Sequence, residues 1–188
     1  MARGSKLHGV ARTAARGALH CAPMHSNPAS LIGDEHAALI EHRVSIMVGS
    51  RDAGLRPHLL RAVGCRLSAD RRRATLLVPE GSSGEVLSDL RDNGRIAVVF
   101  SQPTSNRTLQ LKGNDASIAP CGPHDAALAE RYVQGFVEEI GRLGFNAGLA
   151  HTILSRDDAL VAVHFTIAEA FEQTPGPSAG EPVTPPAR

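Results

Sequence analysis

Residues 95–113, RIAVVFSQPTSNRTLQLKG, contain the pattern that decides the fold class. An unbroken apolar run at residues 96–100 is typical of a strand covered on both faces. A polar segment around Pro103 follows, and apolar and polar residues then alternate strictly over residues 108–112. This alternation predicts a second strand with one apolar and one polar face. The stretch therefore predicts a hairpin that joins an inner strand to a half-polar one.

The polar face of the second strand carries Thr108, Gln110 and Lys112. Leu109 and Leu111 point to the opposite side, because successive side chains of a strand alternate. A sheet with one face in water is the usual origin of such a pattern, so periodicity alone favours solvent for the polar face. A ligand against Thr108 and Gln110 is the alternative that the pattern leaves open.

Other segments of the chain show strand or helix patterns as well. The expected strands are residues 44–49, 58–67, 74–78, 96–100, 108–118 and 160–167, and the expected helices are residues 35–41, 85–93 and 128–143. Short polar links between successive strands favour antiparallel pairing. The expected fold class is mainly β, a six-stranded antiparallel β-barrel, closed or nearly so, with a long helix of the C-terminal half against one side.

Composition excludes several classes of function. The 188 residues are enough for one domain with a sizeable core, and the formal net charge is only +1. A dedicated nucleic-acid binder usually has a clear basic excess and aromatic platforms, but this chain has no Trp and one Tyr. No segment approaches the roughly 20 apolar residues of a membrane span. Three widely spaced cysteines form neither a disulfide framework nor a zinc pattern, which favours the cytoplasm.

The two ends differ from the middle of the chain. Residues 1–33 are basic and rich in small residues, a bias shared by transit peptides and disordered extensions, and disorder is the favoured interpretation. Four soft-metal ligands in this segment would have no preorganised geometry, so no metal site is expected. Residues 34–173 are expected to form the domain. Residues 174–188 are rich in Pro and Gly and are expected to be a loosely attached tail.

Two features favour an anion site. Arg61 is in phase with Leu59 and Val63, so it is expected on the more apolar face of its strand, where it needs a carboxylate or a bound anion. The turn at residues 79–85 leads into a helix N-terminus and could hold a phosphate through backbone N–H groups. The same turn also reads as a capping box, with Ser82 as the cap and Glu85 reaching back, and this structural interpretation is favoured.

The sequence contains no recognisable catalytic motif. There is no nucleophile elbow, no phosphate-binding Walker loop and no His pair with metal-ligand spacing. His164 is expected to be a packed or interface residue, and Cys65 to be buried and inert. Catalytic residues are therefore left unassigned. A protein that binds a redox cofactor would not need them, because the cofactor supplies the difficult chemistry.

Residues 56–113, RPHLLRAVGCRLSADRRRATLLVPEGSSGEVLSDLRDNGRIAVVFSQPTSNRTLQLKG, resemble the cofactor-binding core of the pyridoxamine 5′-phosphate oxidase-like family, the FMN-binding split barrel. The resemblance extends over roughly residues 44–119. It depends on the order of its parts: a strand with an inward Arg, a turn of the type V-P-E-x-S into a short helix, and the hairpin quoted first. This resemblance implies a split barrel, and a homodimer with two FMN molecules at the subunit interface.

The resemblance also implies which residues hold the cofactor. The strand Arg and the turn before the short helix would bind the FMN phosphate, two residues would lie beside the ring through their backbone, and the hairpin would give a polar contact to the isoalloxazine. In the order of these roles, the implied residues are Arg61, Ala62, Val63, Gly64 and Arg66 on the strand, Ser82, Ser83 and Gly84 in the turn, Leu77 and Val78 beside the ring, and Thr108 and Gln110 in the hairpin.

Two departures from the family shape the expected function. Ser83 and Gly84 stand where the true oxidases have a basic pair, and the chain has no counterpart of their C-terminal Trp and Arg segment. The expected function is therefore an FMN-binding oxidoreductase of unassigned substrate, not a vitamin B6 oxidase. F420 and haem, which other branches of the superfamily bind, are alternative cofactors. The alternative function is a non-catalytic cofactor-binding or stress-related dimeric module.

Overall fold

The computed structural model describes Met1 and residues 30–41, 43–154 and 159–185. Most of the N-terminal extension, with its four soft-metal ligands, lies outside this range. The strands are β1 Ser45–Arg51, β2 Pro57–Ala62, β3 Gly64–Leu67, β4 Arg73–Pro79, β5 Ile96–Ser101, β6 Thr108–Gly113, β7 Ser117–Pro120, β8 Leu160–Thr166 and β9 Glu169–Glu172. The helices are α1 Asp34–Glu41, α2 Gly84–Asn93, α3 Asp125–Gly141 and α4 Ala147–Ile153, and a 3-10 turn, Gly81–Ser83, precedes α2.

The strands form two antiparallel sheets that enclose one core. One sheet has five strands in the order β2-β1-β5-β6-β9, and the other has four in the order β3-β4-β8-β7. The predicted hairpin is β5–β6, in which Val98 pairs with Leu111 and Phe100 with Leu109. All four of these side chains are fully buried. The expected class, a mainly β antiparallel barrel with flanking helices, is therefore confirmed.

The strands number nine in the described residues, and not the six that the sequence predicted. The expected strand at residues 58–67 is divided at Val63, where the chain passes from one sheet to the other. The expected strand at residues 108–118 is divided after Gly113, where a Cβ atom would lie only 2.6 Å from the Phe165 ring. This close approach of two strands requires glycine and marks the point at which the chain leaves the five-stranded sheet.

The outer face of β5 is a second difference from the prediction. The apolar run at residues 96–100 indicated a strand covered on both faces. The side chains of Ile96, Val98 and Phe100 are buried in the barrel, whereas Ala97 and Val99 on the other face are only half-buried. In a single copy of the chain, β5 is thus covered on one face only.

The helices follow the sequence pattern more closely. The helix α2 ends where predicted, because Gly94 has φ +65° and its N–H donates to the Leu90 carbonyl. The long helix α3 covers the four-stranded sheet and packs Val133 and Phe136 into a second apolar cluster with Leu77. The prediction did not include α4, which packs against the same cluster through Ala150.

The Pro- and Gly-rich C-terminal segment is more ordered than the sequence indicated. The chain turns back after β9, and its residues bond to that strand. The Val183 N–H donates to the Ala170 carbonyl over 2.9 Å, and the Gly180 N–H donates to the Glu172 carbonyl over 2.7 Å. The expectation of a loosely attached tail was therefore wrong for residues 174–183. We call residues 174–183 the return segment.

None of the helices in the described part of the chain is long and apolar enough to cross a lipid bilayer.

Candidate functional site

A pocket of about 280 Å³ lies between β2, the turn before α2, and α4. Four of the residues that the sequence singled out line it, namely Arg61, Val63, Ser82 and Ser83. The other lining residues are Leu59, Leu60, Pro79, Ile153 and Leu154. The fold thus brings together the strand Arg and the serine turn, which are separated by twenty residues of sequence. We call this cavity the serine–arginine pocket.

Arg61 faces away from the barrel core, contrary to the expectation from the strand phase. Leu60 and Ala62 point inward and are buried, whereas Leu59 on the same side as Arg61 is 70% exposed. The break at Val63 explains the error, because the alternation of β2 does not continue through β3. The guanidinium Nη1 of Arg61 donates to the Ser45 hydroxyl over 2.5 Å. No carboxylate of the described residues forms an ion pair with Arg61.

Ser83 supplies the second polar group of the pocket. Only 2% of the residue is exposed, and its hydroxyl Oγ is buried without a hydrogen-bond partner. The predicted capping box is absent, since the residues before α2 form a 3-10 turn and no side chain caps the helix. A buried hydroxyl without a partner costs about 1–3 kcal/mol. The Ser83 hydroxyl is therefore available to a ligand that enters the pocket.

The outer face of the five-stranded sheet extends from this pocket. The strand registers align Arg61 with Met47, Met47 with Val99, Val99 with Gln110, and Gln110 with Phe171. These five residues form one row across the sheet, which we call the arginine–glutamine row. Strand spacing of about 4.8 Å places the two named polar residues on the order of 14 Å apart.

Thr108 lies on the same face as this row, one pair further along β6. Its hydroxyl is within 2.8 Å of the Ser101 hydroxyl, and it donates to the Asn106 carbonyl over 3.0 Å. Thr108 therefore has protein partners of its own, whereas no hydrogen bond to the Gln110 side chain is recorded in the described part of the chain. Gln110 is the better placed of the two predicted hairpin contacts to receive a ligand.

The remaining predicted residues do not line the serine–arginine pocket. Arg66 lies on the four-stranded sheet and pairs with the buried Asp125, with 3.2 Å between Nε and Oδ1. The side chains of Ala62, Leu77 and Val78 are fully buried. Gly64 packs against Leu77, and Gly84 begins α2 beside open space. Their positions support the walls of the pocket and do not line it.

A buried polar cluster that the sequence did not reveal fixes α2 to the β1–β2 hairpin. The Ser50 hydroxyl donates to the Asp89 carboxylate over 2.6 Å, and His58 Nδ1 lies 2.8 Å from the same oxygen. The hydrogen bond to Asp89 raises the pKa of His58, against a smaller opposing effect of burial. Burial alone would raise the pKa of Asp89, but its bonds from Ser50 and His58 leave that pKa below its ordinary value.

Two other groups of interest, His164 and Cys65, do not line the pocket. His164 on β8 is half-buried and within 2.9 Å of the Thr75 hydroxyl, as expected of a packed residue, and burial lowers its pKa. Cys65 is buried, which raises the pKa of its thiol and makes it unreactive, as predicted. The described residues contain no cluster of His, Cys, Asp or Glu that could hold a metal ion.

Comparison with known proteins identifies the fold. No model of a protein family matches the sequence, and no curated protein matches it. Among solved structures, an F420 reductase is 13% identical over 74% of this chain and 98% of its own, with a TM-score of 0.50. HupZ of Group A Streptococcus is 21% identical over 79% of this chain and 99% of its own, with a TM-score of 0.48.

A third solved structure is less similar to this chain. A protein of Clostridium acetobutylicum related to general stress protein 26, of the pyridoxinephosphate oxidase family, is 15% identical over 72% of this chain and 83% of its own, with a TM-score of 0.41. Identities this low establish a fold and not an activity. The chain has the split-barrel fold of pyridoxamine 5′-phosphate oxidase-like proteins, as the resemblance in sequence predicted.

Proposed function

We propose that this protein binds FMN, with the phosphate of the cofactor in the serine–arginine pocket. The observation that carries the proposal is that Arg61 and Ser83, whose buried hydroxyl has no partner, line the same cavity. A guanidinium and a hydroxyl are suited to a phosphate monoester, because both donate hydrogen bonds and one carries a positive charge. Ser82 lines the same cavity and belongs to the same turn.

The rest of the cofactor would lie along the arginine–glutamine row. Met47 and Val99 form an apolar surface between the two polar ends of the row, and such a surface suits a flat ring system. The amide of Gln110 would then bond to the polar edge of the ring. Gln110 has both a donor and an acceptor, so it can serve either a carbonyl or a ring nitrogen.

The proposed activity is an oxidoreductase of unassigned substrate. Bound FMN supplies hydride transfer, and the residues of this chain hold and orient it. Among the residues that the structure describes, no His, Cys or carboxylate lines the serine–arginine pocket. Acid–base catalysis by the residues that line the pocket is therefore not part of the proposal. Vitamin B6 oxidation is not proposed, because the basic pair and the C-terminal Trp of the true oxidases have no counterpart here.

A second copy of the chain is the proposed partner. The outer face of the five-stranded sheet carries half-buried Met47 and Val99, and Leu59 at its edge strand is 70% exposed. An apolar face of this kind is usually covered by another surface. A homodimer formed through this face would enclose a cofactor lying along the arginine–glutamine row between the two copies.

An absorption spectrum of the purified protein tests the cofactor. We expect flavin absorption bands in the blue region of the visible spectrum. Denaturation should release FMN, which mass spectrometry identifies. If denaturation releases F420 or haem instead, that compound is the cofactor and FMN is not. Colourless protein that takes up no added FMN would overturn the proposal.

A matched pair of variants tests the pocket. Arg61→Gln should weaken FMN binding by roughly tenfold or more, since it removes a charge-assisted contact to the phosphate. Arg91→Gln, which changes an exposed arginine on α2, should leave the affinity unchanged. Equal affinities of the two variants in a fluorescence titration would place the phosphate elsewhere.

The alternative is a dimeric module that holds a cofactor without turnover. The arginine–glutamine row contains no His, Cys or carboxylate, which favours this alternative, since a flavin ring along the row would have no proton donor from it. Addition of NADH or NADPH under anaerobic conditions separates the two functions. Bleaching of the bound flavin supports the oxidoreductase, and a spectrum that neither reductant changes supports the module.

A further inference from the structure

A second groove lies on the outer face of the five-stranded sheet, on the other side of Leu59 from the serine–arginine pocket. Its volume is about 430 Å³. The residues that line it are Gly49, Ser50, Arg51, Pro57, Leu59, Arg95, Ile96, Ala97, Lys112, Gly113, Asn114 and Glu169. None of the contacts attributed to the cofactor uses it. We call it the basic groove.

The floor of the basic groove is flat because two neighbouring strands present almost no side chain there. Gly49 of β1 pairs with Ala97 of β5. On either side of them, Leu59 pairs with Gly49 and Lys112 pairs with Ala97, so longer side chains form the two walls. A shallow floor between raised walls accepts a planar group and leaves little room for a branched one.

Three cations surround this floor. Arg51 ends β1, Arg95 immediately precedes β5, and Lys112 belongs to β6. The Arg51 guanidinium bonds only to a backbone carbonyl, that of Asp52, over 3.1 Å. The Lys112 ammonium lies 4.4 Å from the centre of the Phe171 ring. Over the described ranges of the chain, none of the three forms an ion pair with a carboxylate.

Arg61 shares this lack of a carboxylate partner, whereas several other cations of the described surface are paired. Elsewhere, Arg43 pairs with Glu138 at 2.8 Å, and Arg71 pairs with Asp34 at 2.6 Å. Glu169 is the one acid that lines the groove, and it is opposite Lys112 in the strand register but too far away for an ion pair. With three cations and one acid, the groove has a net positive charge. Its concave walls strengthen the attraction for anions.

We propose that the basic groove binds a small planar molecule that carries an anionic group, such as an aromatic carboxylate. The ring lies on Gly49 and Ala97, and the anionic group meets Arg51 and Arg95 at the edge of the sheet. A guanidinium binds a carboxylate through two parallel hydrogen bonds, which favours this ligand over a neutral ring of the same shape.

This ligand would be the substrate of the proposed oxidoreductase. The Gly49–Ala97 pair lies two residues along the strands from the Met47–Val99 pair, which is a distance of about 7 Å. A ring in the groove would therefore adjoin a flavin that lies along the arginine–glutamine row. This assignment of substrate class rests on the proposed function, whereas binding to the groove does not require it.

Titration of the ¹⁵N-labelled full-length protein with benzoate, without added cofactor, tests the binding. We expect saturable chemical-shift changes at the backbone amides of Gly49, Ala97 and Gly113. Benzamide, which has the same shape and no charge, should produce much smaller changes at these amides. Groove amides that do not move, or that respond equally to both compounds, would overturn the proposal, and this includes the case of a second copy that covers the groove.

A pair of charge variants gives the second test. Arg95→Gln should weaken benzoate binding roughly fivefold to tenfold, because one charge-assisted contact is lost. Arg91→Gln removes an exposed arginine from α2, outside the groove, and should have no effect. Equal dissociation constants for the two variants would contradict the proposal, provided that both unfold at the wild-type temperature. If the protein responds to benzoate but binds no FMN, the proposed ligand site in the basic groove stands and only the proposed function is rejected.

Discussion

The hydroxyl of Ser83 shows how a single atom can favour function over stability. Replacement by alanine should raise the free energy of unfolding of the cofactor-free protein by up to about 1 kcal/mol, because a buried group without a partner is removed. The same change should weaken FMN binding by roughly tenfold, since a hydrogen bond to the phosphate is lost. Chemical denaturation and a flavin titration measure the two effects.

The matched control for Ser83 is Ser88→Ala, which alters an exposed serine of the helix α2 that follows the turn. This variant should change neither quantity. A loss of stability in Ser83→Ala would show that its hydroxyl has a protein partner after all. The proposed role of Ser83 would then be withdrawn.

The contact between His58 and Asp89 predicts a pH dependence of stability. The pKa of His58 is raised in the folded protein, so its contribution is complete below its ordinary pKa of about 6.5 and is lost as the pH rises through the raised value. The pKa of Asp89 is lowered, so its contribution is present above its ordinary pKa and is lost as the pH falls through the lowered value. Stability should therefore decline as the pH rises above about 6.5.

Asp89→Asn removes the charged partner of His58 and should abolish this decline. The measurement is the denaturation midpoint of wild type and variant at about pH 6 and about pH 9. A wild-type midpoint that is the same at both values would refute the assignment. The sequence alone could not predict this pair, because 31 positions separate His58 from Asp89 and neither belongs to a recognisable motif.

At the level of secondary-structure elements, the end of α2 depends on one glycine. Gly94 has φ +65°, and a Cβ atom there would lie 2.9 Å from the Asn114 carbonyl oxygen. Gly94→Ala should therefore lower the free energy of unfolding by about 2 kcal/mol or more. Gly84→Ala is the control, since nothing lies within 4 Å of its added Cβ atom, and it should be neutral or slightly stabilising. Equal denaturation midpoints for the two variants would contradict this explanation.

The elements that could be predicted from the sequence are those with a long, regular pattern. The hairpin at residues 95–113, the helix that ends at Gly94, and the long helix α3 all have one. The strand β9 has four residues and α4 has seven, and segments so short give no usable period. The orientation of Arg61 was mispredicted for a related reason, since a change of sheet at Val63 interrupts the alternation, and Gly64 beside it was included in one continuous strand.

At the level of the whole molecule, the open face of the five-stranded sheet predicts self-association. Met47→Glu should convert a dimer to a monomer, because it places a charge at the centre of the apolar face. Ala127→Glu adds the same charge at an exposed position of α3 and should leave the dimer intact. Sedimentation velocity measures the molecular mass of each. A wild-type protein that sediments as a monomer would refute the homodimer.

The candidate site is partly predictable at this scale as well. Resemblance to a family indicated Arg61 and the serine turn, and the structure places them around one cavity. The same resemblance grouped Arg66 with them, but the split between the two sheets directs Arg66 to Asp125. The basic groove could not be predicted, because its cations come from three strands or strand ends and meet only when the sheet is assembled.

The return segment has a consequence for solubility. A strand at the border of a sheet exposes unpaired backbone groups that invite other chains to add to it. Here residues rich in Pro and Gly bond to β9 and protect that border, although they contribute few apolar side chains to the core. The return segment thus protects the sheet against aggregation, although its composition gives it the appearance of a dispensable tail. A C-terminal truncation chosen from composition alone would remove that protection and leave the barrel core untouched.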